Sequence, residues 1–159
     1  MKNTLNINIR HAVMGDLSAM HKLFVDTIRS TCQPDYHPDQ IDVWTLSVEN
    51  KDRWQEALTH QYFLVAEIQD TMVGFASLEQ GDYLDFMYVH HDYLRKGIAD
   101  RLYQALEQEA TGLGKTSITS NVSKTARPFF EKKGFHVVKE NKHLIRGIEI
   151  TNYRMIKEL

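Results

Sequence analysis

The stretch Tyr83-Leu84-Asp85-Phe86-Met87-Tyr88-Val89, followed four residues later by Leu94-Arg95-Lys96-Gly97-Ile98-Ala99, joins an apolar, β-prone run to the start of an amphipathic helix. A helix N-terminus carries unpaired N–H groups and partial positive charge, so a tight turn there forms an anion site. Gly97 leaves room for close approach, Ala99 is small, and Arg95 and Lys96 add positive charge. The junction suits a diphosphate. Behind it Ile98, Leu102, Ala105, Leu106 and Ala110 recur at helical spacing, with Arg101, Gln104 and Gln108 off that stripe. Gly112 and Gly114 end the helix. Any strand-to-helix turn in an α/β chain favours glycine, however, so the turn by itself does not establish phosphate binding.

A second motif lies downstream, in Ser123-Lys124-Thr125-Ala126-Arg127-Pro128-Phe129-Phe130-Glu131-Lys132-Lys133-Gly134-Phe135. Thr125 reads as the N-cap of a helix through Lys132, Pro128 falls in its first turn, and Gly134 suits a left-handed C-cap. Phe129 and Phe130 read as one core and one cleft-facing aromatic, or as two core residues. Together the two motifs resemble the GNAT superfamily, the general-control-type N-acetyltransferases that use acetyl-coenzyme A. In that family a strand leads into a Gln/Arg-x-x-Gly-x-Gly/Ala turn, and a later helix carries Asn-x-x-Ala-x-x-x-Tyr-x-x-x-Gly-Phe. Gly97, Ala99, Ala126, Gly134 and Phe135 match in register, and the resemblance spans essentially the whole chain.

The resemblance implies an α/β (α+β) fold, with a mixed, mostly antiparallel central sheet of about six or seven strands flanked by helices. A splayed parallel strand pair would hold the cofactor. It also implies main-chain contacts from Met87, Tyr88 and Val89 to the pantetheine arm, a form of β-augmentation. Further cofactor contacts would come from Arg95, Lys96, Gly97, Ile98, Ala99 and Asp100 at the helix start, and from Ser123, Ala126 and Phe130. Three positions depart from the pattern: Leu94 replaces Gln or Arg, Ser123 replaces Asn, and Phe130 stands where many members carry a tyrosine that protonates the leaving thiolate. The Ser123 hydroxyl can still donate to the pantetheine.

Acetylation of an amine requires its neutral form, attack on the thioester and departure of a thiolate. An alkylammonium has a pKa of about 10, so a base or water relay helps, whereas a thiol pKa of about 8.5 makes departure tolerable without a strong acid. A period of two places Tyr83, Asp85, Met87 and Val89 on one strand face. Asp85 sits where family members often carry a carboxylate base and is the first choice, acting through water. Tyr83 is the substitute acid or relay, and His90 is the other titratable group nearby. A solvated or salt-bridged role for Asp85 is the competing reading.

The segment Asp35-Tyr36-His37-Pro38-Asp39-Gln40-Ile41-Asp42-Val43-Trp44 looks like a Tyr-x-Pro-x-Gln-Ile-x-x-Trp pattern of a bacterial subgroup of acetyltransferases of unassigned substrate. By resemblance it walls the acceptor side. Tyr36 and Trp44, with three acidic residues, can receive a cationic amine, or Ile41 and Trp44 can simply bury a helix.

The chain has 159 residues, 42% hydrophobic and 25% charged, enough to bury one core, and is read as one acetyltransferase domain over residues 1–159. No apolar run nears the roughly 20 residues of a membrane span, and Met1-Lys2-Asn3-Thr4 opens no apolar signal segment. A cytoplasmic protein without membrane partners is expected. A net charge of −2 gives no general attraction to nucleic acid, and Cys32 is the single cysteine. Gly114-Lys115-Thr116 imitates the end of a phosphate-binding loop, but Glu109 occupies the position of its first glycine. His90 and His91 are expected to point apart, as neighbours at a strand end do, and no catalytic metal is expected. Lys124, Arg127, Lys132 and Lys133 can bind the 3′-phosphoadenosine end of the cofactor or solvate a helix. The stretch from Ile148 to Met155 serves equally as a homodimer interface or a sheet interior.

Along the chain the pattern predicts a strand over 5–12, helices over 17–31, 38–46 and 52–59, and a hairpin of 62–68 with 72–78. The strand 83–89, the helix after Gly97 and strands over 117–122, 135–139 and 149–156 complete it. Two functions remain on the sequence alone: an acetyl-coenzyme A-dependent N-acetyltransferase acting on a small-molecule or peptide amine, and an acyl-coenzyme A-binding regulatory module. Turnover with an amine separates them.

Overall fold

The computed structural model describes residues 6–159. Its seven strands are β1 (Asn8–His11), β2 (Tyr62–Ile68), β3 (Thr71–Glu79), β4 (Tyr83–Val89), β5 (Ser117–Ser123), β6 (His136–Ile145) and β7 (Ile148–Glu158). They form one sheet in the order β1-β2-β3-β4-β5-β7-β6. Helices α1 (Leu17–Thr31), α2 (Pro38–Thr45) and α3 (Lys51–His60) precede β2, α4 (Ile98–Gly112) joins β4 to β5, and α5 (Arg127–Lys132) follows β5. Every neighbouring pair is antiparallel except β4 and β5, whose parallel arrangement requires the crossover that α4 supplies.

Alternation along the strands divides the core into two. Leu64, Ala76, Leu78 and Leu84 pack with Ile98, Leu102 and Leu106 of α4. Phe63, Val65, Phe75 and Phe86 pack on the other side with Met20, Phe24 and Ile28 of α1 and Trp54 of α3. The α4 side needs a close approach: a Cβ at Gly74 would lie 3.0 Å from Tyr88 O and 3.1 Å from Ile98 Cγ2. The β2–β3 hairpin turns on Gln69 and Asp70, both at positive φ (50° and 64°), the twist that suits a two-residue hairpin turn. Arg10 of β1 binds Asp16 at 2.8 Å and Glu67 of β2 at 2.8 Å, fixing the entry to α1 onto the sheet edge.

Two features of the sheet position the site. On β3, Ser77 faces Phe86 and Leu78 faces Leu84, which leaves Asp85 as the extra residue of a β-bulge. The expected single face of Tyr83, Asp85, Met87 and Val89 is therefore broken. Met87 and Val89 join the α4 side, whereas Asp85 reaches Arg53 of α3 on the opposite side. The second feature is the brevity of the parallel pair. Only Tyr83↔Thr119 and Leu84↔Ser120 are in register, and the Ser120 hydroxyl donates to Leu84 O at 2.7 Å. Beyond this point β4 follows β3, β5 follows β7, and the two strands part.

The elements depart from the expected boundaries in instructive places. Helix α2 ends at Thr45 and passes into a 3₁₀ turn over Leu46–Glu49. The predicted first strand is shorter, at Asn8–His11, and Leu5 lies outside the described residues. Strands β6 and β7 run longer than predicted and meet at a turn of Arg146 and Gly147, at φ 49° and 79°. Along β6, Lys139-Glu140-Asn141-Lys142-His143 shows no apolar alternation because this edge strand has little core to face. The stretch from Ile148 to Met155 lies in β7 between β5 and β6, with Ile150 and Met155 buried, so it forms sheet interior. No helix among the described residues is long and apolar enough to cross a membrane.

Candidate active site

The parting of β4 from β5 opens two connected clefts. One, of about 540 Å³, runs from the turn before α4 towards Met87, Tyr88 and Val89. The other, of about 300 Å³, lies between Asp85, Tyr83, Tyr36, Asn121 and the β6–β7 hairpin. Trp44, Met87, Tyr88, Ser123, Ala126 and Phe130 line both, so the clefts meet at these residues. A long ligand in the first can present its end to a small ligand in the second.

The larger cleft contains the phosphate-like turn. Gly97 has φ +83° and forms the N-cap of α4, and a Cβ there would meet no atom within 4 Å. Glycine is thus favoured here by the backbone conformation, not by the protein's own packing, and the space before it is open. Arg101 N–H bonds to Gly97 O at 3.0 Å, which leaves the N–H groups of Ile98, Ala99 and Asp100 at the unpaired start of a fifteen-residue helix. Arg95, Gly97, Ile98, Ala99 and Asp100 all line this cleft, but Lys96 does not. The Ile98 side chain belongs to the core, so only its backbone is available. Asp100 pairs with Lys133, which offsets a carboxylate that would otherwise repel an anion.

Along the cleft floor, Val89 O accepts the Thr27 hydroxyl at 3.2 Å and is already engaged. Ser123 Oγ accepts Ala126 N–H at 3.0 Å, leaving its own O–H to donate. The expected Thr125 cap is not formed. Ala126 is the N-cap of α5, and Thr125 donates instead to Asp35 at 2.8 Å. Phe129 and Phe130 both line the larger cleft, and Phe130 is also buried, so a core-versus-cleft division does not separate them. Cys32 lines the cleft as well, with its thiol pushed up by burial.

At the junction Tyr88 contributes a phenol that Phe130 cannot. Burial raises the Tyr88 pKa strongly, and the neighbouring Trp44 opposes this only in part. Tyr36 Oη donates to Thr151 O at 2.8 Å and accepts Lys124 N–H at 2.9 Å, and burial pushes its phenol up to about 12. This hydroxyl holds the segment before α2 against β7 and the β5–α5 turn.

In the smaller cleft Asp85 is heavily engaged. It accepts Arg53 Nη2 at 2.9 Å, Arg53 Nη1 at 3.3 Å and Gln61 Nε2 at 2.7 Å, and its side chain is 7% exposed. Gln61 in turn accepts the Ser77 hydroxyl at 2.6 Å. Burial would lower the Arg53 pKa, but bonding and attraction to Asp85 outweigh it and the net shift is upward. Tyr83 accepts Asn121 Nδ2–H at 3.1 Å, and burial, then Asp85, raises its phenol. An amide row continues from Asn121 through Asn141 to Asn152 at 3.1 and 3.0 Å.

Tyr83 and Asp85 are therefore brought together, and His90 is not: it lines neither cleft. Its ring stacks on His91 at 4.3 Å, contrary to the expectation that the two point apart, because His91 begins a 3₁₀ turn instead of extending the strand. His90, His91 and Asp92 have potential ligand atoms within 4.8 Å of one another. His90 Nδ1 already accepts Asp92 N–H at 3.1 Å, and nearly parallel rings direct their in-plane lone pairs side by side. Of the substrate-side residues, Tyr36 and Trp44 reach the smaller cleft, but Asp35, Asp39 and Asp42 do not. Asp42 pairs with Arg29, and Asp39 accepts Gln40 N–H. Arg53, Gln61, His143 and Ile145 are site residues that the sequence pattern did not reveal, and for Tyr88 it pointed to the main chain and not to the phenol. Their only local signal was Gln61 and Arg53 standing beside a buried helix face.

The family model described as an acetyltransferase (GNAT) domain matches residues 32–157. The uncharacterized N-acetyltransferase YafP of Escherichia coli (strain K12) is 34% identical over 150 residues, covering 94% of this chain and 95% of that protein. A crystal structure of a GCN5-related N-acetyltransferase from Rhodopseudomonas palustris superposes with a TM-score of 0.93 at 30% identity, over 100% of this chain and 99% of that one. The PaiA N-acetyltransferase of Thermoplasma acidophilum, solved in complex with coenzyme A, shares the fold at a TM-score of 0.80 and 20% identity, over 98% and 100% of the two chains.

Proposed function

The chain belongs to the GNAT acetyltransferases, and from that membership we propose that it moves the acetyl group of acetyl-coenzyme A to the primary amine of a small molecule by direct attack on the thioester. The observation that carries this reading is the parting of β4 and β5 beyond Leu84 and Ser120, which joins an anion-ready cleft to a smaller one at Tyr88 and Phe130.

In this reading the first-turn N–H groups of α4, with Arg95, bind the diphosphate of the cosubstrate. Main-chain groups of Met87 and Tyr88 and the Ser123 hydroxyl hold the pantetheine arm, with the thioester at the junction. The acceptor amine enters the smaller cleft. Asp85 stands beside it, and its commitment to Arg53 and Gln61 argues for proton removal through water with Tyr83 in the relay, not by direct contact. Tyr88, held protonated by burial, donates a hydrogen bond towards the departing sulfur. Phe130 supplies shape without a proton, which the modest basicity of a thiolate allows.

Calorimetric titration with acetyl-coenzyme A, using free coenzyme A and ATP as controls, tests the cofactor cleft. Continuous detection of released thiol with a panel of amines tests transfer. Saturable binding and amine-dependent thiol release support the proposal. Binding without turnover for any amine would favour an acyl-coenzyme A-binding module.

A further inference from the structure

Resting on the transferase reading, we infer that the smaller cleft contains an anion subsite at Arg53 and that the acceptor is a small amine which also carries a carboxylate, as an amino acid does. Among the described residues, Arg53 is the only lysine or arginine lining this cleft, and Asp85 is the only carboxylate. The two are unequally exposed: 45% of the Arg53 side chain is accessible, against 7% for Asp85.

A guanidinium has five N–H donors in a planar fork. Arg53 gives one from each terminal nitrogen to Asp85, and its carbon lies 4.8 Å from the centre of the Phe86 ring. Its three remaining N–H groups find no protein acceptor among the described residues. Asp85 holds one edge and Phe86 one face, so the free edge is fixed in direction. Asp85 is itself fixed by Gln61, which Ser77 orients. Arginine held in this way is suited to a carboxylate, because a rigid fork pays little entropy on binding one.

The rest of the cleft argues against a polycationic acceptor. Its one carboxylate is neutralised by Arg53, and the acidic residues before and in α2 face elsewhere. What remains is largely aromatic or aliphatic, with the amides of Asn121 and Asn152, the hydroxyls of Ser120 and Ser123 and the imidazole of His143 as its other polar groups. A volume of about 300 Å³ admits a small molecule. An amine with a carboxylate at one end and an apolar side group would match Arg53, the amides and the aromatic wall together.

The test uses matched acceptors: L-leucine, L-leucinamide and isopentylamine, and the corresponding phenylalanine set, each assayed by thiol release. Binding of the N-acetylated products to protein saturated with coenzyme A is measured in parallel, so that the subsite is probed even where turnover is slow. The acids should exceed the decarboxylated amines in kcat/KM by about 10- to 100-fold, the range of a hydrogen-bonded charge. Arg53→Gln should remove that preference while leaving acetyl-coenzyme A affinity within twofold. Arg53→Lys should restore only part of it. Equal or reversed preference, an equal loss for all acceptors in Arg53→Gln, or no binding of any carboxylated product would overturn the subsite. Failure of acetyl-coenzyme A itself to bind would instead remove the transferase reading, a distinguishable result.

Discussion

Asp85 accepts both terminal nitrogens of Arg53 across the gap between β4 and α3, at 2.9 and 3.3 Å, and it does so from the extra position of a β-bulge. Without the bulge its side chain would lie on the α4 side with Met87. The bulge thus sets which cleft the carboxylate serves, and the consequence is measurable.

Asp85→Asn keeps the shape of the bulge but removes the charge. It is expected to lower kcat by roughly 10²-fold, the lower end for a proton-transfer group, with the acetyl-coenzyme A dissociation constant within twofold. Single-turnover kinetics with pre-bound cosubstrate separates the two. Undiminished turnover would take Asp85 out of the chemistry.

Gly97→Leu tests the diphosphate turn. A side chain at φ +83° costs about 1–2 kcal/mol of backbone strain, so the melting temperature should drop by only a few degrees. Affinity for acetyl-coenzyme A should fall more than tenfold, because the new side chain occupies the approach to the helix N-terminus. Equal affinities in calorimetry would show that the cofactor lies elsewhere.

Tyr88 and Phe130 share the junction of the clefts, and only Tyr88 carries a hydroxyl. Tyr88→Phe should reduce kcat about tenfold, equivalent to one lost hydrogen bond of about 1.4 kcal/mol, without weakening cosubstrate binding. Adding Phe130→Tyr to that variant should recover part of the rate. A double variant no faster than Tyr88→Phe alone would mean that no phenol assists the sulfur.

The Arg10–Asp16 pair links acidity to stability. The Arg10 hydrogen bonds hold the Asp16 carboxyl below its ordinary value. A depressed folded-state pKa contributes stability that is fully present above the unfolded pKa of about 3.9 and is lost as pH falls through the lower folded value. Urea midpoints of the parent should therefore exceed those of Asp16→Asn at pH 7, with the gap closing below about pH 4. A gap independent of pH would assign the effect to packing.

Much of this protein is legible from local pattern. Helix α1 spans Leu17–Thr31, β2 Tyr62–Ile68 and β4 Tyr83–Val89, as local pattern predicts, because α1 carries one apolar stripe and the two strands are short runs rich in apolar, β-prone residues. Gly97 is legible for a related reason: a positive φ at a helix start leaves few residue choices. The family motif likewise names residues that the larger cleft collects, among them Gly97, Ala99 and Ala126.

Other features depend on pairings between distant residues. Strand β6 is too polar to show a period, and it is extended because β7 offers a partner along its length. Asp85 changes face because Ser77 and Leu78 of β3 choose Phe86 and Leu84 as partners. Arg53 enters the site from a helix thirty-two positions earlier, where nothing in its neighbours specifies an ion pair. The sequence by itself determined the strand-turn-helix that can receive a diphosphate, since helical period and glycine conformation are properties of adjacent residues. Only the tertiary structure decided which charges face the smaller cleft, because a bulge and a cross-element ion pair exist only once the sheet and α3 have packed together.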